Sequence, residues 1–122
     1  MTAAYRIVIV EDDVFISIDL SDLLIAMGHD VCAIASTEDE AVAAALQWTP
    51  DLMIVDGNLS EGSGVSAMRR ILAHRFVAHF YITGDPIHLL KAVPDAVVVA
   101  KPFTMRAVAI GMATAERVTS SD

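Results

Sequence analysis

The sequence predicts an α/β protein, a single domain over residues 1–122 in which five strands of a parallel sheet alternate with five helices. The length of 122 residues is that of one domain with one buried core. Hydrophobic residues make up 55% of the chain and charged residues 20%, which is a globular composition. Short β-branched apolar runs alternate with longer helical patterns, and this alternation is typical of helices packed on a parallel sheet.

The first predicted strand covers residues 5–10. Its continuous apolar run, from Ile7 to Val10, fits a strand that is buried on both faces. A helix is predicted at 14–27, and we expect Gly28 to end it in the left-handed conformation. The second strand is predicted at 30–35.

Ser36 or Thr37 is predicted to cap the second helix, which runs to Gln47. The first turn of this helix carries three consecutive acidic residues, which the positive end of the helix dipole favours. Pro50 marks the break before a third strand at 52–55.

Asp56 directly follows the third strand and opens a glycine-rich loop at 57–64. The third helix is predicted at 65–74. A fourth strand is predicted at 77–82 and leads directly into Thr83.

A short fourth helix is predicted at 86–92, where prolines interrupt the helical pattern on both sides. The fifth strand is predicted at 96–99, shortly before Lys101. The last helix is predicted at 103–118, and the polar tail at 119–122 is expected to fray.

Charge and hydropathy exclude several classes of function. The net charge is −8 and the eight Lys and Arg residues are scattered, so we expect no direct binding of nucleic acid. Apolar runs are too short to span a membrane, and the N-terminus lacks the pattern of a secretory signal. We therefore expect a cytoplasmic protein without a membrane segment.

Polar side chains follow four of the predicted strands at the edge of the sheet where ligands bind in such folds. Packed carboxylates repel one another unless a divalent cation neutralises them, and hard oxygen ligands favour magnesium. Beside such a cation a carboxylate can attack phosphorus while an ammonium group offsets charge on the transferring oxygens. The residues that the predicted sheet collects at this edge are Glu11, Asp12, Asp13, Asp56, Thr83 and Lys101.

Four motifs carry a resemblance that covers essentially the whole chain. They are Ile7-Val8-Ile9-Val10-Glu11-Asp12-Asp13, Leu52-Met53-Ile54-Val55-Asp56, Ile82-Thr83-Gly84 and Lys101-Pro102-Phe103. Together they resemble the receiver domain of bacterial response regulators. The resemblance implies a flavodoxin-like (βα)5 three-layer sandwich with a five-stranded parallel sheet in the order 2-1-3-4-5.

The same resemblance implies that Asp56 accepts a phosphoryl group with the help of Mg2+, or of Mn2+. It implies Glu11, Asp12 and Asp56 as the acidic metal-site residues, together with the main-chain carbonyl of Asn58. Asp12 is expected to bind the metal directly, and Glu11 through water.

The resemblance further implies Thr83 as the switch hydroxyl, Lys101 as the contact to the phosphoryl oxygens, and a cis peptide at Pro102. Many receivers carry Tyr or Phe where this chain has Val98, and proline where it has Ser60. The interval from Thr83 to Lys101 is also about one helical turn shorter than is usual in the family. These departures indicate a variant subgroup with a Thr-Gly dipeptide and a shortened fourth helix.

The function that this implies is a phosphorylation-dependent switch without an output domain. A sensor histidine kinase or a histidine phosphotransfer protein would supply the phosphoryl group. The protein would then act on a downstream protein target, or as a relay or sink for phosphoryl groups. We expect autodephosphorylation but no enzyme in the ordinary sense. An aspartyl-nucleophile phosphohydrolase and a non-phosphorylated interaction module stay as alternatives, and Asn58 argues against the first because those enzymes generally have a second Asp there.

The first predicted helix is unusually apolar near its start, with Val14, Phe15, Ile16 and Ile18. Such a helix leaves apolar surface that a partner would cover. Two occupants stay open, another protein and a second copy of the chain in a homodimer.

Overall fold

The computed structural model describes residues 4–118, so the fraying predicted for 119–122 lies outside the described residues. The strands are β1 (Arg6–Val10), β2 (Asp30–Ala35), β3 (Leu52–Asp56), β4 (Ala78–Thr83) and β5 (Val98–Ala100). The helices are α1 (Val14–Ala26), α2 (Glu38–Trp48), α3 (Gly64–Leu72), α4 (Pro86–Ala92) and α5 (Met105–Arg117). No helix within residues 4–118 is long and apolar enough to cross a membrane.

The five strands form one parallel sheet in the order β2-β1-β3-β4-β5. This order confirms the predicted flavodoxin-like (βα)5 topology. Because consecutive parallel strands need crossover connections, each of the helices α1 to α4 returns the chain to the edge of the sheet at which the strands begin. All five strands therefore end at the opposite edge, where the loops converge.

Alternate residues of the strands build two separate cores, one on each face of the sheet. On one face Val8, Met53 and Tyr81 pack with buried side chains of α2, α3 and α4. On the other face Ile54 and Phe80 pack with buried side chains of α1 and α5. The three layers that result are the predicted sandwich, and they explain the continuous apolar runs of the central strands.

The fifth strand begins two residues later than the hydrophobic pattern predicts. The apolar run predicts a strand at 96–99, whereas β5 begins at Val98 and ends at Ala100. Ala96 N–H instead donates to the carbonyl of Val93, which closes a turn before the strand begins. Apolarity alone does not distinguish this turn from the strand that follows it.

Capping side chains also move two helix starts by one or two residues. Helix α5 begins at Met105 because the hydroxyl of Thr104 accepts a hydrogen bond from Ala107 N–H. Helix α3 begins one residue earlier than predicted because Ser63 caps it in the same way, accepting from Ser66 N–H. Helix α4 spans the predicted residues, and Gly28 follows α1 with a φ of 92° in the left-handed conformation.

Candidate functional site

The topology brings the predicted polar residues to one edge of the sheet. Glu11 follows β1, Asp56 is the last residue of β3, Thr83 is the last residue of β4, and Lys101 follows β5. The register keeps these ends level, since Asp56 pairs with Ile82 on the neighbouring strand. Glu11, Asp56 and Thr83 are 4%, 5% and 1% exposed, so polar groups are buried here against the apolar interior.

Three carboxylates meet at this edge. One oxygen from each of Glu11, Asp12 and Asp56 lies within 4.8 Å of the other two. Asp12 is half-buried and the other two are buried, which leaves one side of the cluster open to solvent. Three hard oxygen donors at this spacing, two of them removed from water, fit the requirements of a divalent cation such as Mg2+.

Lys101 provides the only ammonium group that the residues 4–118 place against this cluster. Its Nζ forms an ion pair with Glu11 Oε1 at 2.8 Å and donates a hydrogen bond to Asp56 Oδ2 at 3.2 Å. Burial opposes the charge on Lys101, but hydrogen bonds and charge from Glu11 and Asp56 outweigh it and raise the pKa of the ammonium. The lysine thus stays protonated and partly neutralises the two buried carboxylates.

Burial strongly perturbs the pKa of Glu11. Burial, aided by the neighbouring Asp56 carboxyl, raises the pKa of Glu11 to about 7, although Lys101 and the Asp13 N–H oppose the shift. An ordinary glutamate in the unfolded chain titrates near 4.5. The folded protein therefore binds this proton more tightly than the unfolded chain does.

Glu11 should make the metal-free protein less stable as the pH rises. Its contribution to stability is complete below pH 4.5 and is lost as the pH approaches about 7. We expect the free energy of unfolding of the wild type to fall, relative to that of Glu11→Gln, by a few kcal/mol between about pH 5 and pH 8. Urea unfolding in EDTA at several pH values measures the free energy of unfolding of both proteins. The same dependence on pH in the two proteins would contradict the prediction.

Asp12 and Asp13 have different surroundings although they are adjacent in the sequence. Asp13 Oδ1 accepts from Phe15 N–H at 2.9 Å and from Ile16 N–H at 3.1 Å, so Asp13 is the N-cap of α1. Asp12 Oδ2 instead accepts from Ser60 N–H at 2.8 Å, across to the loop after β3. Of the acidic triplet, Asp13 is thus used for helix capping and lies outside the carboxylate cluster.

The hydroxyl of Thr83 connects the site to helix α4. Thr83 Oγ1 accepts from Asp85 N–H at 3.0 Å, and the side chain of Asp85 caps α4 by accepting from His88 N–H. Leu89, the buried residue of α4, packs so closely on Gly57 that a Cβ added at this glycine would lie 2.6 Å from the leucine side chain. Helix α4 thus contacts Gly57, the residue directly after Asp56, and is capped by Asp85, two residues after Thr83.

The altered position Val98 lies away from the carboxylates, on the face of the sheet that packs against α2, α3 and α4. It pairs in register with Tyr81 on β4, and both side chains belong to the same core. The aromatic ring on this part of the face therefore comes from Tyr81, which is 3% exposed.

The peptide bond between Lys101 and Pro102 is cis.

Asn58 lies in the loop after Asp56, and its N–H donates to Asp56 Oδ1 at 3.0 Å. The same loop is contacted by Glu38, the first residue of α2, which accepts from Ser63 N–H at 3.0 Å. Sequence reasoning missed this role of Glu38, since an acidic residue in the first turn of a helix is adequately explained by the helix dipole. Nothing in the local pattern around Glu38 indicates a partner 25 residues away.

Known proteins similar to this chain were found by sequence and by structure, while no protein-family model matches it. The chain is 36% identical over 104 residues to the phyllosphere-induced regulator PhyR of Methylorubrum extorquens. The aligned region covers 82% of the chain and 39% of PhyR. It is 34% identical over 68 residues to the chemotaxis protein CheY of Bacillus subtilis, covering 56% of the chain and 57% of CheY. The chain thus matches about two fifths to just over half of these curated relatives.

A solved structure matches the fold over almost its full length. The solution NMR structure of the REC domain of the Erythrobacter litoralis PhyR response regulator superimposes with a TM-score of 0.87 at 31% sequence identity. The match covers 98% of this chain and 95% of that domain.

Proposed function

The chain belongs to the receiver domains of response regulators, and on that premise we propose that it is a phosphorylation-dependent signalling switch that accepts a phosphoryl group on Asp56. The observation that carries the proposal is the hydrogen bond and ion pair from Lys101 to the buried Asp56 carboxylate, beside two further carboxylates. A cation and an ammonium on either side of one carboxylate are what a phosphoryl acceptor needs.

The proposed metal is Mg2+, with Mn2+ as a substitute. Asp12, Asp56 and the main-chain carbonyl of Asn58 would hold it directly, and Glu11 through water. When bound, the cation supplies positive charge that offsets the negative charge of the phosphoryl oxygens. The cluster of three carboxylate oxygens supports this assignment, because without a counter-charge they repel one another.

In the proposed transfer, an oxygen of Asp56 forms a bond to phosphorus while the bond from phosphorus to the donor breaks. With a phosphohistidine donor the broken bond is P–N, and the imidazole leaves with the electron pair of that bond. Lys101 would move its hydrogen bond from the carboxylate toward a phosphoryl oxygen, and the hydroxyl of Thr83 would donate a hydrogen bond to another phosphoryl oxygen. Neither side chain gains or loses a proton in the net step.

We do not assign an enzymatic turnover to the protein. The product is an acyl phosphate that water hydrolyses, so slow loss of phosphate from Asp56 follows from the chemistry of the bond. A phosphohydrolase acting on small esters is disfavoured because Asn58 stands where such enzymes generally have an acid/base Asp, and an amide cannot relay a proton in that way.

The proposed partners are a sensor histidine kinase or a histidine phosphotransfer protein as the donor, and a downstream protein as the target. We propose that the protein works in the cytoplasm and does not bind nucleic acid directly, since the charge of −8 opposes binding to phosphate backbones. The path from Thr83 through Asp85 to α4 supports α4 as part of the surface that the target reads.

Incubation with acetyl phosphate and Mg2+ tests the proposed function without the cognate kinase. We expect intact-protein mass spectrometry to show the addition of one phosphoryl group, and no addition when EDTA replaces Mg2+. An unmodified mass in Mg2+ would contradict the proposal. Rapid multiple turnover of a small phosphate ester would instead favour the phosphohydrolase.

A further inference from the structure

Glu38 lies outside the carboxylate cluster, yet it holds the loop that follows the proposed acceptor. This residue begins α2, and its two carboxylate oxygens accept hydrogen bonds from three groups. Oε1 accepts from Ser63 N–H at 3.0 Å, while Oε2 accepts from Ser66 Oγ and from Arg70 Nη1, both at 2.9 Å. Its main chain also takes part, since Glu38 N–H donates to the carbonyl of Glu61 at 3.1 Å.

Ser63 transmits this attachment to Asn58. The two residues face each other as an antiparallel bridge across the loop, and Gly64 N–H donates to the carbonyl of Gly57 at 3.2 Å beside it. Ser63 also caps α3, so its position is fixed from the helix as well. Glu38 is thus connected, through Ser63 and the adjacent hydrogen bond between Gly64 and Gly57, to the loop segment that contains Asn58, whose main-chain carbonyl is the proposed metal ligand.

The packing around the loop leaves little room for another arrangement. A Cβ added at Gly62, which has a φ of 80°, would lie 2.5 Å from the Cβ of Glu38. A Cβ added at Gly64 would lie 2.0 Å from the main-chain oxygen of Asp56. The loop therefore lies directly against Glu38 on one side and against the acceptor residue on the other.

We propose that Glu38 is a positioning residue for the divalent cation: by holding Ser63 it fixes the loop that presents the Asn58 carbonyl beside Asp56. The inference rests on the proposed function, because it takes that carbonyl as a ligand. It adds a residue that touches neither the cation nor the phosphoryl group. Partners that orient ligands from outside the coordination shell typically contribute ten- to hundredfold in metal affinity.

Two variants of the full chain separate the effect of the length of the Glu38 side chain from the effect of its charge. Glu38→Gln keeps the length of the side chain and an oxygen that accepts from Ser63 N–H, but it removes the charge. Glu38→Asp keeps the charge at the start of α2 but is one methylene too short to keep the same contacts. Asp39→Asn is the matched control, because Asp39 also pairs with Arg70, at 2.8 Å, and within residues 4–118 its side chain makes no hydrogen bond to the loop.

Calorimetric titration with Mg2+ gives the first readout, at an ionic strength near 0.15 M where long-range attraction between charges is screened. We expect Glu38→Asp to weaken Mg2+ binding about tenfold. Glu38→Gln and Asp39→Asn should stay within about twofold of the wild type, because both keep the contact with Ser63. Affinity lost in Glu38→Gln but kept in Glu38→Asp would overturn the proposal, because the effect would then come from charge alone.

Amide hydrogen exchange of the metal-free proteins gives a second readout that does not depend on the cation. Faster exchange of the Asn58 and Ser63 amides in Glu38→Asp, with unchanged exchange in the α1 core, is the expected result. Unchanged exchange at both amides would overturn the proposal. Absence of Mg2+ binding by the wild type is a different outcome, because it would contradict the proposed function and leave these exchange rates to decide on the role of Glu38 in the loop.

Discussion

Asp56→Asn should take up no phosphoryl group from acetyl phosphate in Mg2+ under conditions that modify the wild type completely. The amide has nearly the shape of the carboxylate, so the fold and the contact to Asn58 N–H can persist. It lacks the anionic oxygen that attacks phosphorus, and it removes one of the three carboxylates of the cluster. The loss is therefore expected to be complete.

Intact-protein mass spectrometry checks this result, with Asp22→Asn as the matched control. Asp22 is an exposed carboxylate on α1, on the surface of the same domain, and its replacement should leave the uptake unchanged. Phosphorylation of Asp56→Asn to the wild-type extent would show that another residue is the acceptor.

Lys101→Met is expected to produce the second large effect, a loss of stability in the absence of metal. The variant removes the ammonium that lies 2.8 Å from Glu11 and 3.2 Å from Asp56, and two buried carboxylates then face each other without a counter-charge. Removing one partner of a buried ion pair costs about 3 kcal/mol, and the cost here should be largest above pH 7, where Glu11 of the wild type is ionised and pairs with Lys101 as a carboxylate.

Urea unfolding at about pH 8, with EDTA and with Mg2+, measures the effect. We expect Mg2+ to stabilise Lys101→Met more than it stabilises the wild type, because the cation replaces the missing positive charge. Lys91→Met, at an exposed lysine of α4, is the matched control and should change stability by no more than about 0.5 kcal/mol. Equal stability of Lys101→Met and the wild type in EDTA would show that the two carboxylates are neutralised in another way.

The fold was largely predictable because the strands are short, apolar and separated by clear breaks. Ile7 to Val10 and Leu52 to Val55 are buried on both faces, and a parallel sheet is the architecture that buries strands in this way. The order β2-β1-β3-β4-β5 followed from the resemblance, since periodicity does not determine which strands are neighbours. Ends of elements were less predictable because single hydrogen bonds, such as the cap at Thr104, decide them.

The candidate site was likewise predictable only in part. Residues at strand ends, such as Asp56 and Lys101, could be predicted to lie close together, because topology alone decides where strands end. Contacts made through loops could not be foreseen. The bond from Ser60 N–H to Asp12 and the bond from Ser63 N–H to Glu38 depend on the path of a loop whose backbone amides carry no sequence signature.

Thr83 oxygen Oγ1 has two lone pairs and one proton, and the bond from Asp85 N–H occupies only one lone pair. The proton remains available to a phosphoryl oxygen, so a single atom would join the cap of α4 to the proposed chemistry at Asp56. Linked equilibria are reciprocal. A protein that binds α4 more tightly when Thr83 faces the phosphoryl group must favour phosphorylation of Asp56 by the same factor, so the target would help to set the level of its own signal.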